Sequence, residues 1–218
     1  MSKEREEIRA LTASVVSMAD EVGKILREAS RNFLARDAEA IGRLQEKDSE
    51  IDRLENANDA RCLRILALYQ PAADDLRTVF MALKINNDLE RIGDHALNIA
   101  ERAEALAVSP APMLTDQFRR MTDLTLGMLG DAINAFMARD VPLAKSVIER
   151  DDEADALLRE CIETVLAQEW RDRPERESAV ALVFAAKEFE RIADLCTNLA
   201  EDVIFLAEGI NLKHEGQM

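Results

Sequence analysis

Carboxylates dominate the residues of this sequence that could do chemistry, and they recur at a fixed spacing. Asp48 and Asp52 stand four residues apart, as do Glu90 and Asp94. The same spacing returns at Asp151 with Asp155 and at Glu190 with Asp194. On a helix, residues i and i+4 share a face with Cβ atoms about 5–6 Å apart, and like charges so placed cost a few tenths of a kcal/mol. A crowd of carboxylates is an all-oxygen ligand set. It suits hard cations such as Mg, Ca, Mn or ferric iron and lacks the nitrogen and sulfur that zinc sites draw on. The other chemical residue types are isolated. His95 reads as a surface or cap residue and His214 as part of a tail, and without an ExxH motif the di-iron oxidase pattern is missing. Cys62, Cys161 and Cys196 have no CxxC spacing, so neither a disulfide framework nor a zinc site is expected.

The elements that must hold these side chains are helices. Ile8, Leu11, Val15, Met18, Val22, Ile25, Ala29 and Phe33 recur every three or four residues and mark one face of a first helix. It should end near Arg36, because Asp37 suits the N-cap of the next. Helix two runs to about Tyr69, where Gln70-Pro71 breaks it. Helix three runs from about Asp74 to about Ala107. Ser109-Pro110-Ala111-Pro112 reads as a linker. The second half repeats the first. Asn32-Phe33-Leu34-Ala35-Arg36-Asp37 matches Ala135-Phe136-Met137-Ala138-Arg139-Asp140 at an offset of 136 − 33 = 103. Near the end of each copy, Leu89-Glu90-Arg91-Ile92-Gly93-Asp94 matches Phe189-Glu190-Arg191-Ile192-Ala193-Asp194 at 190 − 90 = 100. Three residues are therefore missing around the second copy's turn, where Trp170 reads as a packing anchor. The fold class is all-α: two tandem antiparallel three-helix bundles related by a pseudo-twofold repeat, over residues 1–108 and 113–212, with a tail at 213–218.

The repeat gives the carboxylates a common height. Helix two begins and ends its seam with Ile41, Leu44, Cys62 and Ile65, yet carries Asp48, Glu55 and Asn58 between them. Beside the apolar stripe of helix three runs a polar one, Glu90, Asp94, Asn98 and Glu101. Folding the hairpin at Pro71 places the pair Asp48 and Asp52 at 71 − 50 = 21 residues from the turn, and Glu90 with Asp94 at 92 − 71 = 21. The second copy, turning near Arg173, gives 173 − 153 = 20 and 192 − 173 = 19. Two readings stay open. Each level holds a cation, or each stripe is a solvated acidic face with Arg53, Arg91 and Arg191 as partners.

Composition removes several function classes. With 43 acidic against 28 basic residues the formal charge is −15, which excludes nucleic acid as the expected partner. The N-terminal residues lack the apolar core of a signal peptide, and the longest apolar run, Ala179 to Ala186, is far too short to span a bilayer. A soluble cytoplasmic protein without membrane insertion is expected.

The motifs Leu89-Glu90-Arg91-Ile92-Gly93-Asp94 and Phe189-Glu190-Arg191-Ile192-Ala193-Asp194 with Asn198 resemble the paired signatures of the PhoU family. So do the turn Gln70-Pro71-Ala72-Ala73-Asp74-Asp75-Leu76-Arg77 and the tail Glu208-Gly209-Ile210-Asn211-Leu212-Lys213-His214. One departure is Ala193, where the family usually has Gly; inside a helix it should strengthen that helix. The resemblance implies a homodimeric, non-catalytic, cytoplasmic regulator of phosphate uptake and of the phosphate-starvation two-component response. Such a protein docks on the phosphate transporter's ATPase subunit and on a sensor histidine kinase. It also implies metal binding (Fe, Mn, Mg or Ca) through Asp48, Asp52, Glu90, Asp94, Asp151, Asp155, Glu190 and Asp194, with no organic cofactor. The alternative is a carboxylate-bridged metalloenzyme or metal-storage helical protein.

Overall fold

The computed structural model describes residues 2–108 and 114–208, and every element among them is helical. The linker Ser109–Pro112, the tail 213–218 and the motif after Glu208 lie outside the described residues. Helix α1 (Lys3–Ala35) is capped by Ser2, whose hydroxyl accepts from the Arg5 N–H at 3.4 Å. Every apolar position of its predicted face is buried. Arg36 closes it in the left-handed conformation (φ 57°), and Asp37 caps a single 3₁₀ turn that feeds α2 (Ile41–Tyr69). Gln70 (φ 49°) ends α2, and after Pro71 come α3 (Ala73–Glu101) and the short α4 (Ala103–Ala107).

The second copy opens with α5 (Thr115–Ala138), closed by Arg139 at φ 53°. Asp140 then caps α6 (Val141–Ile148) by accepting from Leu143 N–H at 3.0 Å. Helices α7 (Asp151–Leu166) and α8 (Arg173–Glu208) follow. Trp170 packs partly buried at the turn and donates to the Val165 carbonyl at 2.9 Å, as its anchor role requires.

Two helices differ from the sequence expectation. Helix three of the first copy does not run unbroken to about Ala107; it stops at Glu101. There Arg102 N–H bonds Ile99 at 3.3 Å in a tighter turn, and its guanidinium lies 5.4 Å over the Phe184 ring. The bend lets α4 meet both copies: Ser178 donates to the Ala105 carbonyl at 3.0 Å and Arg36 to the Leu106 carbonyl at 3.2 Å. In the second copy, helix two is split at Glu149 and Arg150. Arg150 N–H bonds Val147 and Glu153 N–H bonds Arg150, both at 3.1 Å. The Arg150 side chain meanwhile reaches Asp131 on α5 at 2.6 Å.

Each copy is a three-helix bundle, α1–α2–α3 and α5–α6/α7–α8. They join through α3 against α8 and α1 against α5, both antiparallel. Lys84 pairs with Asp202 while Arg102 meets Phe184, and the Phe33 and Phe118 rings meet edge-on at 4.7 Å. The buried residues of both copies form one continuous apolar cluster. Fully burying each Leu, Ile or Phe there stabilises by about 1.5–3 kcal/mol. One buried patch is polar. Asn58 donates to Asn86 at 2.8 Å, and Asn86 donates to Asp59 at 2.9 Å and to the Glu55 carbonyl at 3.0 Å. At the equivalent positions, 58 + 103 and 86 + 100, the second copy has Cys161 and Ala186, both buried.

Candidate functional site

The eight carboxylates singled out from the sequence fall into two groups, one per bundle, on the facing sides of the second and third helices. In the first, Asp48 and Glu90 are half-buried while Asp52 and Asp94 are exposed. Gly93 faces α2 within this group. A Cβ there would stand 3.4 Å from Asp48 Oδ1 and 3.8 Å from Ile51. The four share one electrostatic field. Burial, then Asp94, Asp52 and Glu101, push Asp48 up to about 6. Burial, then Asp94, Glu55, Asp52 and Asp48, push Glu90 up to about 7. Asp94 is raised by burial and by Asp52, with His95 opposing.

The second group is differently balanced. Asp151 and Asp155 are half-buried, Glu190 is buried and Asp194 is exposed. Burial and the neighbouring acids raise Asp151, against a hydrogen bond from Thr197 at 3.4 Å. Asp194 is raised by burial, then by Glu190 and Asp151, with Lys187 opposing. Lys187 reaches Glu190 Oε1 at 2.5 Å, while Glu190 Oε2 is buried without a partner.

Height matching along the hairpin thus identifies groups that feel one another in both copies. It misses Glu55 and Glu101, which also act on the first group. Glu101 lies two turns further from the hairpin tip. Helical side chains point back toward the N-terminus, so its carboxylate is carried toward Asp48. The sequence signal is there, since Glu101 continues the polar stripe. Of the proposed arginine partners, Arg91 and Arg191 turn instead to Asp88 at 3.2 Å and Glu188 at 3.3 Å, and Arg53 to Glu50 at 3.6 Å. His95 is not the surface or cap residue expected. Its side chain is only 17% exposed, and its Nδ1 lies 2.6 Å from Glu188 across the α3–α8 contact. Burial raises Glu188, but the hydrogen bond and charge of His95, with Arg191, outweigh it and hold the carboxyl low.

The donor chemistry of both groups fits a hard cation: all oxygen, mutually repelling, with one buried carboxylate oxygen unpartnered. Among the described residues, no three Asp, Glu, His or Cys side chains stand close enough to enclose a metal ion. The carboxylates share a field without yet sharing a coordination point.

Comparison with known proteins decides the family. The sequence model of the PhoU domain matches twice, over residues 15–103 and 118–203. The chain belongs to the PhoU family. The two matches follow the two bundles. Among similar proteins is the phosphate-specific transport system accessory protein PhoU homolog of Aquifex aeolicus. It is 37% identical over 210 residues, covering 96% of this chain and 95% of that one. The protein of the same name from Zymomonas mobilis is 34% identical, covering 94% and 86%. The crystal structure of PhoU from Pseudomonas aeruginosa superposes with a TM-score of 0.88 at 30% identity, over 94% of this chain and 99% of that one. PhoU from Streptococcus pneumoniae, described as a phosphate transport system regulatory protein, gives 0.88 at 25%, over 96% and 99%.

Proposed function

We propose that this chain is a non-catalytic, cytoplasmic regulator of phosphate homeostasis. The observation that carries the reading is its nearly full-length similarity to proteins named as accessories of a phosphate-specific transport system. On this reading it acts as a homodimer that docks on the transporter's ATPase subunit and on a membrane sensor histidine kinase. With ample phosphate it restrains uptake and holds the starvation response off. No described helix is long and apolar enough to cross a membrane.

The same reading gives the carboxylates a cation each: Asp48, Asp52, Glu90 and Asp94 around one, Asp151, Asp155, Glu190 and Asp194 around the other. The support is electrostatic. Burial and mutual repulsion raise several of these acids toward neutrality, and a hard cation would relieve that repulsion while gaining oxygen ligands.

Co-purification from phosphate-replete cells, paired with a deletion strain, tests the regulatory role. We expect components of a phosphate transporter or its sensor kinase to be captured, and starvation reporters to switch on in rich medium when the gene is deleted. Normal phosphate uptake and silent reporters in the deletion strain would overturn the assignment.

A further inference from the structure

On the seam between α1 and α5 lies a cavity of about 320 Å³, lined by none of the eight carboxylates. Arg27 and Arg31 of α1 and Arg119 of α5 line it, with Ser30, Thr122 and Asp123. In a chain of net charge −15, bases are mostly met by nearby acids, as at Lys47 with Glu28 and Arg150 with Asp131. Among the described residues, none of these three guanidinium groups has a carboxylate within ion-pair distance. Arg27 and Arg31 stand four apart on one helix face, where like charges repel. The hydroxyls of Ser30 and Thr122 donate back to the Leu26 and Phe118 carbonyls, each at 2.7 Å, which leaves the arginines as the cavity's donors. Close by in the sequence of each helix, the edge contact of Phe33 with Phe118 holds α1 and α5 together.

The pseudo-twofold repeat supplies an internal control. Adding or subtracting the offset of 103 carries Arg27 to Gly130, Arg31 to Asn134 and Arg119 to Val16. All three line a second cavity of about 360 Å³ on the same seam, so the repeat builds the hollow twice. Asp123 likewise maps to Asp20, which lines that second cavity. A Cβ at Gly130 meets nothing within 4 Å, so no crowding at its Cβ keeps a side chain out of that position. The arginines therefore do not follow from the fold. Arg31 and Arg119 are confined to one end of the seam, and Arg27 lies between the two cavities.

We propose that Arg27, Arg31 and Arg119 form a binding site for a phosphate group. Guanidinium forks match phosphate oxygens with paired hydrogen bonds. Three arginines against Asp123 leave a formal charge of 3 − 1 = +2 at the cavity, the complement of a dianion. Asp123 also gives selectivity: its carboxylate can accept the proton that hydrogen phosphate carries, whereas sulfate offers only repelling oxygens. Arg27 lines both cavities, so a phosphate-bearing ligand could extend along the seam over Leu126 and Leu129. This inference does not rest on the regulatory reading, and either can fail without the other.

Calorimetric titration of the full chain at pH 7.5 tests it, with inorganic phosphate, pyrophosphate and sulfate at matched ionic strength. Vesicles carrying phosphatidic acid, whose headgroup is a phosphate monoester, form a parallel arm. Saturable binding of phosphate or pyrophosphate, with sulfate weaker, is the expected result. Arg31→Gln and Arg119→Gln should each weaken it about tenfold or more, Asp123→Asn should bring sulfate level with phosphate, and Arg43→Gln should change nothing. Arginine-dependent binding confined to the vesicles would also support the site and would name a lipid headgroup as its source. No saturable binding in either arm, or binding unchanged in the Arg31→Gln, Arg119→Gln double variant, would overturn it.

Discussion

The two carboxylate groups occupy equivalent places in the two bundles, yet the second has a lysine paired directly to one of its acids, while the first has only the more distant charge of His95 acting on Asp94. Glu190 has Lys187, where the first copy has Asn87, and Asp151 has Thr197, where the first copy has Leu97. In the first group nothing offsets burial and repulsion at Asp48 and Glu90, and these two are driven furthest toward neutrality. The backbone differs in the same sense. Gly93 faces the Asp48 carboxylate, whereas Ala193 stands buried at the corresponding place in the second copy. A duplicated scaffold can thus keep its carboxylates in both halves while differing in how far the protein itself balances them.

Changing the polar patch that only the first bundle has would strain this comparison most. Asn86→Ala removes the acceptor of Asn58 and the donor to Asp59, leaving buried polar groups unpaired. We expect a loss on the order of 2–4 kcal/mol in urea unfolding. Asn58→Cys combined with Asn86→Ala imports the second copy's pair and should cost less than Asn86→Ala alone. A double variant as unstable as the single one would show that the difference between the copies is not local.

Charge removal comes next. Asp48 and Glu90 have folded-state values above their ordinary ones, so protonation favours the folded chain, and their contribution is lost as pH rises through about 6 and 7. Asp48→Asn with Glu90→Gln should raise stability at pH 8 by about 1–2 kcal/mol and add little near pH 4. Asp151→Asn with Glu190→Gln should gain less, because Lys187 loses its partner. Magnesium or manganese should raise the parent's melting temperature beyond potassium chloride of equal ionic strength. With both groups neutralised in one chain, that excess should vanish. Equal responses to metal and plain salt would return the acids to a solvated face.

The smallest effect sharpens the backbone difference. Gly93→Ala gains helix propensity and meets Asp48 at an ordinary contact distance, so a stabilisation of about 0.5–1 kcal/mol is expected. Ala193→Gly should lose about as much. If Gly93→Ala instead destabilises, the narrow approach of Asp48 is what holds the glycine in place.

The repeat makes much of this legible in the sequence. Two offsets, 103 and 100, fix the hairpins, and hairpin geometry alone then matches the pair Asp48 and Asp52 to Glu90 and Asp94, and the pair Asp151 and Asp155 to Glu190 and Asp194. The breaks at Arg102 and at Glu149 and Arg150 are not legible. They depend on what a side chain finds across the bundle, Phe184 in one case and Asp131 in the other, and propensity carries no such knowledge. His95 is misplaced by sequence reasoning for the same reason: its partner Glu188 lies 93 residues away and on the other copy. Lys187 escapes level matching although it sits one turn before Glu190, because matching by height considers acids alone.

The contact of α3 with α8 has a bearing on how two near-copies avoid pairing with themselves. By the offset of 100, position 84 faces 102 across the join, so Lys84 meets Asp202 and Phe184 meets Arg102. Two first halves brought together in this way would set Lys84 against Arg102, a clash of like charges. Two second halves would set Phe184 against Asp202, an acid deprived of its base. Each half is therefore a poor mate for its own twin and a good one for its sibling. The covalent tether keeps them near, but the sorting is written into four side chains, and it disfavours pairing of like halves between neighbouring molecules in a crowded cell.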